Sequence, residues 1–348
     1  MAYSTITKPS LHFNTKLYTG NGSTQSITGV GFQPDMTWIK CRDTANRWHF
    51  LFDSNRGANK RLVTNGDYVE STTTSLTAFD SDGFSLANQT NVNDSGENIV
   101  SWNWKAGNSS GSANNDGSIT STVSVNTTAG FSIVKWSASA NATIGHGLGQ
   151  KPAMVITKSR DNATNWATWH KDLTGGDEED RYVNLNTTAA DDSYTNYWGT
   201  GGFTSSVFGV SNNAFHNNVG SMIAYCFAEK KGYSKFGRYR GNANANGVFV
   251  YTGFKPAFFI SKRVDAVKDW HIIDNKRSTS NVRAALLYPN LTDAEATPTS
   301  CDFLSNGIKM RTANSFLNET GGQYIYMAFA ENPFVANVGS NGIPATAE

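Results

Sequence analysis

The chain has 348 residues, a formal net charge of +1 and only 16% charged residues, but 12% aromatics, 9 Trp and 32 Gly. Its length suggests two or three domains at ~100–200 residues each, and its aromatics exclude a disordered polymer. With no Lys/Arg run of five residues, it lacks the concentrated basic face that nucleic-acid binding needs as a main task.

In chain order, residues 1–14 precede the patterned region and read as an N-terminal arm. MAYSTITKPS shows no charged start followed by an apolar stretch, so no secretion signal is expected. Apolar runs stay far below the ~18 residues that would span a membrane, so no membrane insertion is expected. A strand begins at Tyr18 in KLYTGNG. GFQPDMTWIKCRD (31–43) follows, with Met36 and Trp38 on one face of a second strand. The DSDG turn (80–83) and the alternating IVSWNWK (99–105), with Trp102 and Trp104 on one face, complete the first unit. Period-two alternation of this kind predicts half-buried strands. AGNSSGSANNDGS (106–118) has no apolar periodicity and reads as flexible, and ITSTVSV (119–125) introduces the next unit. AALLYPNLTDAEA (284–296) is interrupted by Pro289 and is expected to be loop or at most one helical turn.

One phrase returns three times. Six residues after Pro34, Pro152 and Pro256 stand Lys40, Lys158 and Lys262; at nine stand Asp43, Asp161 and Asp265; at fourteen stand Trp48, Trp166 and Trp270. Each copy also has an upstream aromatic (Tyr18, Trp136, Tyr239) and a closing strand (IVSWNWK, MIAYCFAEK, IYMAFAEN). The chain therefore reads as three copies of a unit of roughly a hundred residues, the size of one small sandwich domain. The expected fold is all-β, with three tandem antiparallel β-sandwich domains of jelly-roll or lectin-like character. Boundaries fall at 1–14 (arm), 15–107, 108–118 (flexible linker), 119–232, 233–333 and 334–348 (tail). Arm and tail are candidate docking segments, and repeats two and three, joined only by EKKGYSKF, are expected to pack as the stiffer pair.

The signature residues carry structural expectations. Each repeat lysine shares parity with core-facing residues, so it needs a partner or must snorkel to the sheet edge. Asp53, Asp172 and Asp274, 18–20 residues after each proline, are candidate partners, and contact with an acidic sugar is the alternative. The aspartate at +9 is expected to cap a turn through backbone N–H groups, and the tryptophan at +14 to fill the core.

Reactive chemistry is hard to find. Cys41, Cys226 and Cys301 are odd in number and lack paired spacing, which argues for free thiols in a reducing compartment. GHGLGQ (145–150) leads into a strand instead of a helix, so it is not read as a phosphate loop. The six histidines are scattered, DSDG lacks the longer ligand series of a calcium loop, and Glu229 and Glu331 sit a repeat apart. No catalytic, cofactor or metal residues are assigned. Asn/Ser/Thr-rich loops with aromatics, YTNYW (194–198) and NRWHF (46–50), offer sugar stacking, with Tyr194, Tyr197 and Trp198 as candidate glycan contacts; closure of the sheet ends is the plainer alternative.

The phrases SITGVGFQPDMTWIK, LFDSNRGANKRL, FDSDGFSL, SWNWKAG, IAYCFAEKKGYSKFG and YIYMAFAENPF resemble a family of virion-associated proteins of tailed phages, common in marine phage genomes. The likeness spans roughly residues 12–335. It implies a virion component, assembled in the host cytoplasm and exposed in a tail fibre, an appendage or the capsid decoration. Its partners would be other virion proteins and a host surface glycan, and it would form a homo-oligomer, a trimer favoured. It carries no catalytic residues over; a tail-associated glycan-cleaving enzyme is the alternative. Repeat two departs from the pattern, with WHKDLTGG (169–176) where LFDSNRGA would stand.

Overall fold

The computed structural model describes residues 4–139, 141–212, 220–333, 335–336 and 343–344. The start of the expected arm and most of the expected tail lie outside them. Strands make up 43% of the chain and helix 2%, and the sheets are antiparallel, so the class is all-β. The helical pieces among the described residues are Pro9–Leu11 and Thr90–Asn93. Residues 284–296 form no helix; Leu286 and Leu287 make isolated bridges to Ala296 and Ile272.

Each repeat contributes an inner and an outer sheet. The first inner sheet runs, in spatial order, from an edge strand (Phe13–Thr19) to the closing strand (Asn98–Trp104), the lead strand (Met36–Cys41), the return strand (Phe50–Asp53) and two short strands beyond. The second repeats this order with Phe131–Ser137, Ser221–Phe227, Met154–Ser159 and Ala167–His170, and the third with Ser234–Arg240, Gln323–Pro333, Phe254–Arg263 and Trp270–Asp274. Outer sheets are built from Gln25–Thr28, Gly83–Leu86 and Leu76–Asp80; from Ala142–Gly145 and Val207–Val210; and from Phe249–Tyr251, Gly307–Met310 and Cys301–Leu304.

The lead strands are not half-buried, as simple alternation suggested. Met36–Cys41 and Met154–Ser159 are buried at every position. Both faces are covered because the inner sheet lies between two cores. Ile39 and Cys41 point into the outer core of repeat one, whereas Met36 and Trp38 point into a central core. That central core draws on all three repeats. Trp104, Phe227 and Phe329, paired opposite Met36, Met154 and Phe258, occupy equivalent positions. Their rings form a near-equilateral triangle, with centroids 6.4, 5.9 and 6.1 Å apart. The repeats thus surround a local threefold axis and share one interior.

Two expectations about the ends and linkers change accordingly. The arm is not a free docking segment over its described length: Phe13 is buried against Trp104, Phe258 and Phe329. The linker 108–118 is not a loose tether either. Ser112–Asn114 pairs with Ser121–Asn126, which pairs in turn with the edge strand Phe131–Ser137. The linker is pinned at its start, where the backbone N–H groups of Ala106 and Asn108 donate to the buried Asp35 carboxylate. Its composition disguised a strand, because Ser and Asn on an outer edge need no apolar partner.

A shared interior predicts joint unfolding. Phe329→Ala removes a ring from the triangle and should cost about 3–5 kcal/mol. Calorimetry should show one transition shifted down as a whole; separate transitions for the three repeats would contradict the shared core.

Candidate functional site at the repeat junctions

The register fixes which residues are equivalent. Lys40 faces the return strand one position past the pairs Ile39–Phe50 and Trp38–Leu51, which brings it opposite His49; Lys262 pairs with Trp270, and Lys158 lies opposite Trp166. Repeat one has one extra residue in this hairpin, so the counterpart of Trp166 and Trp270 is His49, not Trp48. Trp48 is displaced outward, half-buried, and stacks on Tyr68. Trp166 and Trp270 reach the preceding repeat through their indole N–H groups: Trp166 donates to the carbonyls of Val63 and Gly66, and Trp270 to that of Asn184. His49 accepts from the Trp38 indole and faces the Tyr288 carbonyl of repeat three.

The repeat lysines are fully buried, yet their partners are not the expected aspartates. Lys40 Nζ donates to the carbonyls of Arg47 and Thr292, Lys262 Nζ to those of Lys268 and Thr188, and Lys158 Nζ to those of Ser159 and Asn162. Thr292 and Thr188 belong to the neighbouring repeat, so two of the lysines tie units together. Burial without a paired carboxylate holds all three lysines down at about 8. The aspartates at +9 act across the sheet instead of within their own turn. Asp43, Asp161 and Asp265 accept from the N–H groups of Asn98, Ser221 and Gln323, each the first residue of a closing strand. Pro34, Pro152 and Pro256 are all buried; Pro256 lies at a register shift inside its strand.

Asp53 and Asp274 serve a different group. Asp53 accepts from Arg56 Nε and backbone N–H, and Arg56 also reaches Glu70 and the Leu51 carbonyl. Asp274, Arg277, Glu295 and Ile272 repeat this set. The next repeat then closes each network: Arg160 makes two bonds to Glu70, and Arg42 two to Glu295. From the core side, the Tyr225 hydroxyl donates to Asp53 and the Trp102 indole N–H to Asp274. Burial works against the charge of Arg56, but Asp53 and Glu70 hold it above its ordinary range. Burial pushes Asp274 up, and Arg277 more than offsets it. Paired in this way, buried charges fix register more than they add stability.

Repeat two lacks the network. His170 stands where the aspartate would, Leu173 where the arginine would, and Met327 holds the closing-strand position from which Trp102 and Tyr225 donate in the other two sets. His170 Nδ1 accepts from the Asp172 backbone, so Nε2 carries the proton and donates to the Tyr326 carbonyl. Burial holds this imidazole down at about 3, hence neutral. The arginine partner at this junction becomes Val264, and Asp191 pairs with Arg181 of its own repeat. Of this network, the backbone link is kept at all three junctions: Glu70, Asp191 and Glu295 donate their N–H groups to the carbonyls of Arg160, Val264 and Arg42.

Tyr197 and Trp198 are buried in the outer core of repeat two, so they are withdrawn as glycan contacts. Tyr197 stacks on Tyr182 at 3.9 Å, and the Trp198 indole donates to the Arg181 carbonyl. YTNYW reads as a polar surface loop, but its last two residues turn inward. Tyr194 is 58% exposed. An exposed pair escaped notice in the sequence: Phe249 and Tyr251, 44% and 57% exposed, alternate onto one face of an outer strand. Asp82 of the DSDG turn is engaged by the N–H groups of Gly29 and Gly31. The three cysteines are free and buried, one in each outer core. Among the described residues, no group of three His, Cys, Asp or Glu side chains is arranged to hold a metal.

Asp53→Asn removes one of the two carboxylates that pair the buried Arg56, leaving Glu70, and should cost about 3 kcal/mol in chemical denaturation. The pair Asp53→His with Arg56→Leu, copied from repeat two, should cost less than the single change, because no unpaired charge remains; a larger cost would contradict the pairing argument. The lysines give a pH signature. Their folded value near 8 lies below the ordinary 10.5, so burying the charge is unfavourable below pH 8 and is relieved as pH rises toward 10.5. Relative to Lys262→Met, the native chain should gain stability between pH 8 and 9.5, by up to about 1.4 kcal/mol per pH unit. Comparing the two chains cancels the opposing ionisation of cysteine and tyrosine in the unfolded state; a flat difference would contradict the shift.

Compared with curated proteins, the chain finds no match. The profile of a family described as a domain of unknown function, DUF7483, matches residues 8–333. That range takes in the inner and outer sheets of all three repeats, the triangle of rings and every junction described above, and the chain belongs to this family.

Proposed function

We propose that the protein is a non-enzymatic structural component on the surface of a tailed-phage particle, built as three jelly-roll or lectin-like sandwiches and recognising a host glycan. The resemblance of its repeated phrases to virion-associated proteins supports the location. The threefold arrangement within one chain supports attachment by a single copy at a threefold or quasi-threefold position of the particle, in place of a homotrimer. The observation that carries the recognition reading is the exposed pair Phe249 and Tyr251. Both rings stand on the outer sheet of repeat three, on a strand buried through Val250 between them. Two solvent-facing rings on one strand face form a rigid platform, and sugar rings stack on such platforms through their apolar faces. The platform belongs to one repeat: the second outer sheet pairs Ala142–Gly145 with Val207–Val210 and has no such aromatics.

Mass spectrometry of purified particles should find the protein as a structural component, with copy number separating tail or vertex (a few to a few dozen) from capsid (hundreds). Its absence from particles would end the virion reading. On a host-glycan array the purified chain should bind, and Tyr251→Ala should lower the signal at least several-fold without altering thermal stability. Array binding untouched by Phe249→Ala and Tyr251→Ala would end the platform reading, and release of reducing sugar from host polysaccharide would replace recognition by cleavage.

A further inference from the structure

The three inner sheets differ at one border. In repeat two the edge strand Phe131–Ser137 is covered by an added antiparallel strand, Ser121–Asn126, with Ser112–Asn114 outside it. In repeats one and three the equivalent strands, Phe13–Thr19 and Ser234–Arg240, are the last strands of their sheets among the described residues. A cleft lies along each of them. One, of about 310 Å³, is lined by Asn14, Thr15, Lys16 and Leu17 with Gly29 and Lys276. The other, of about 370 Å³, is lined by Arg238, Tyr239 and Arg240 with Gln323. By register, Asn14–Leu17 correspond to Ser132–Lys135, the residues the added strand covers in repeat two, and Arg238 corresponds to Lys135.

A neighbouring repeat walls this border in repeats one and two. In repeat two that wall is Asn55 of repeat one, whose amide donates to the Thr122 carbonyl of the added strand at 3.0 Å. The equivalent of Asn55, two residues beyond the return-strand aspartate, is Lys276 at the cleft of repeat one. Lys276 is exposed and, like Asn55, is a donor. The chain thus contains one filled example of a position that it leaves open twice.

We propose that the open edges Phe13–Thr19 and Ser234–Arg240 are docking sites for an extended, acidic strand of a partner polypeptide, bound antiparallel in the register that Ser121–Asn126 adopts. Backbone pairing along an exposed edge gives affinity and the flanking side chains give specificity. The cations outnumber the acids at both edges: Lys16 and Lys276 with Asp82 at one, Arg238 and Arg240 with Asp172 of repeat two at the other. A second copy paired edge to edge would bring these cations together, and like charges facing across a strand pair repel. An acidic partner meets no such penalty. Basic residues on an edge strand also discourage indiscriminate pairing, which narrows the occupant to one that supplies the opposite charge.

The test uses the full chain and a synthetic peptide of its own residues 117–126 carrying Thr120→Glu and Thr122→Glu. Residue 122 pairs with Lys135, the counterpart of Arg238, and continuing that register puts residue 120 opposite the counterpart of Arg240. Hydrogen exchange with the peptide at up to millimolar concentration should slow the amides of 13–19 and 234–240. At the second edge the acidic peptide should bind about fivefold more tightly than the native sequence, an advantage that Arg238→Glu with Arg240→Glu reverses. No added protection at either edge, protection confined to Phe131–Ser137, or equal affinity for acidic and native peptides would each overturn the proposal.

Discussion

Everything in this molecule depends on burying both faces of an inner sheet at once. A single sandwich covers one face of each sheet and leaves the other to solvent. Here the outer face of each inner sheet is covered by its own outer sheet, and the remaining face has nowhere to go except against its two siblings. Trp38, Trp102 and Trp104 on that face, with Tyr225, Phe227, Phe258 and Phe329 from the others, form one apolar interior. A repeat cut out alone would expose a sheet face carrying these aromatics. The triplication is therefore a condition of folding and does more than add copies.

A central core made only of apolar groups would leave rotation and sliding among the three units weakly specified. The junctions supply the specification. Lys40 and Lys262, each indole N–H reaching across, and each Asp–Arg–Glu–Arg set are satisfied only at one relative placement of two repeats. Desolvating these charges is costly, which the depressed lysines register directly, and the cost falls on any arrangement that leaves them unpaired. Repeat two shows that the device is not indispensable at every junction. With His170 neutral, Leu173 in place of an arginine and Val264 in place of another, that side of the molecule keeps its geometry through the Asp191–Val264 backbone bond, the Lys262 and Trp270 bonds to the carbonyls of Thr188 and Asn184, and packing.

The sequence disclosed the class, the repeat and the identity of the signature residues, because alternation and fixed offsets are local. It misassigned what depends on counting across a hairpin or on contacts between repeats. One extra residue between Lys40 and Phe50 moved Trp48 out of the series and His49 into it. Asp53 has the offset of a partner for Lys40, but Arg56, three residues further on, takes it through Nε and its backbone N–H. The arginine stands in the phrases CRD and SRD, but its acceptors, Glu295 for Arg42 and Glu70 for Arg160, lie in other repeats and share no fixed offset with it. Tyr197 and Trp198 look like surface residues only because polar neighbours surround them in sequence.

A homotrimer could build the same triangle of rings, the same lysine ties and the same ion sets three times over, but every change would then appear in all three positions. Fusion into one chain removes that constraint, and the differences among the copies fall where they leave the axis intact. Repeat two exchanges its ion set and fills its sheet edge with the segment that joins it to repeat one. Repeat three alone places Phe249 and Tyr251 outward. Repeats one and three keep open edges flanked by cations. The interior stays threefold because three equivalent faces must close on one another, while the perimeter, which answers to no such closure, has become three different surfaces.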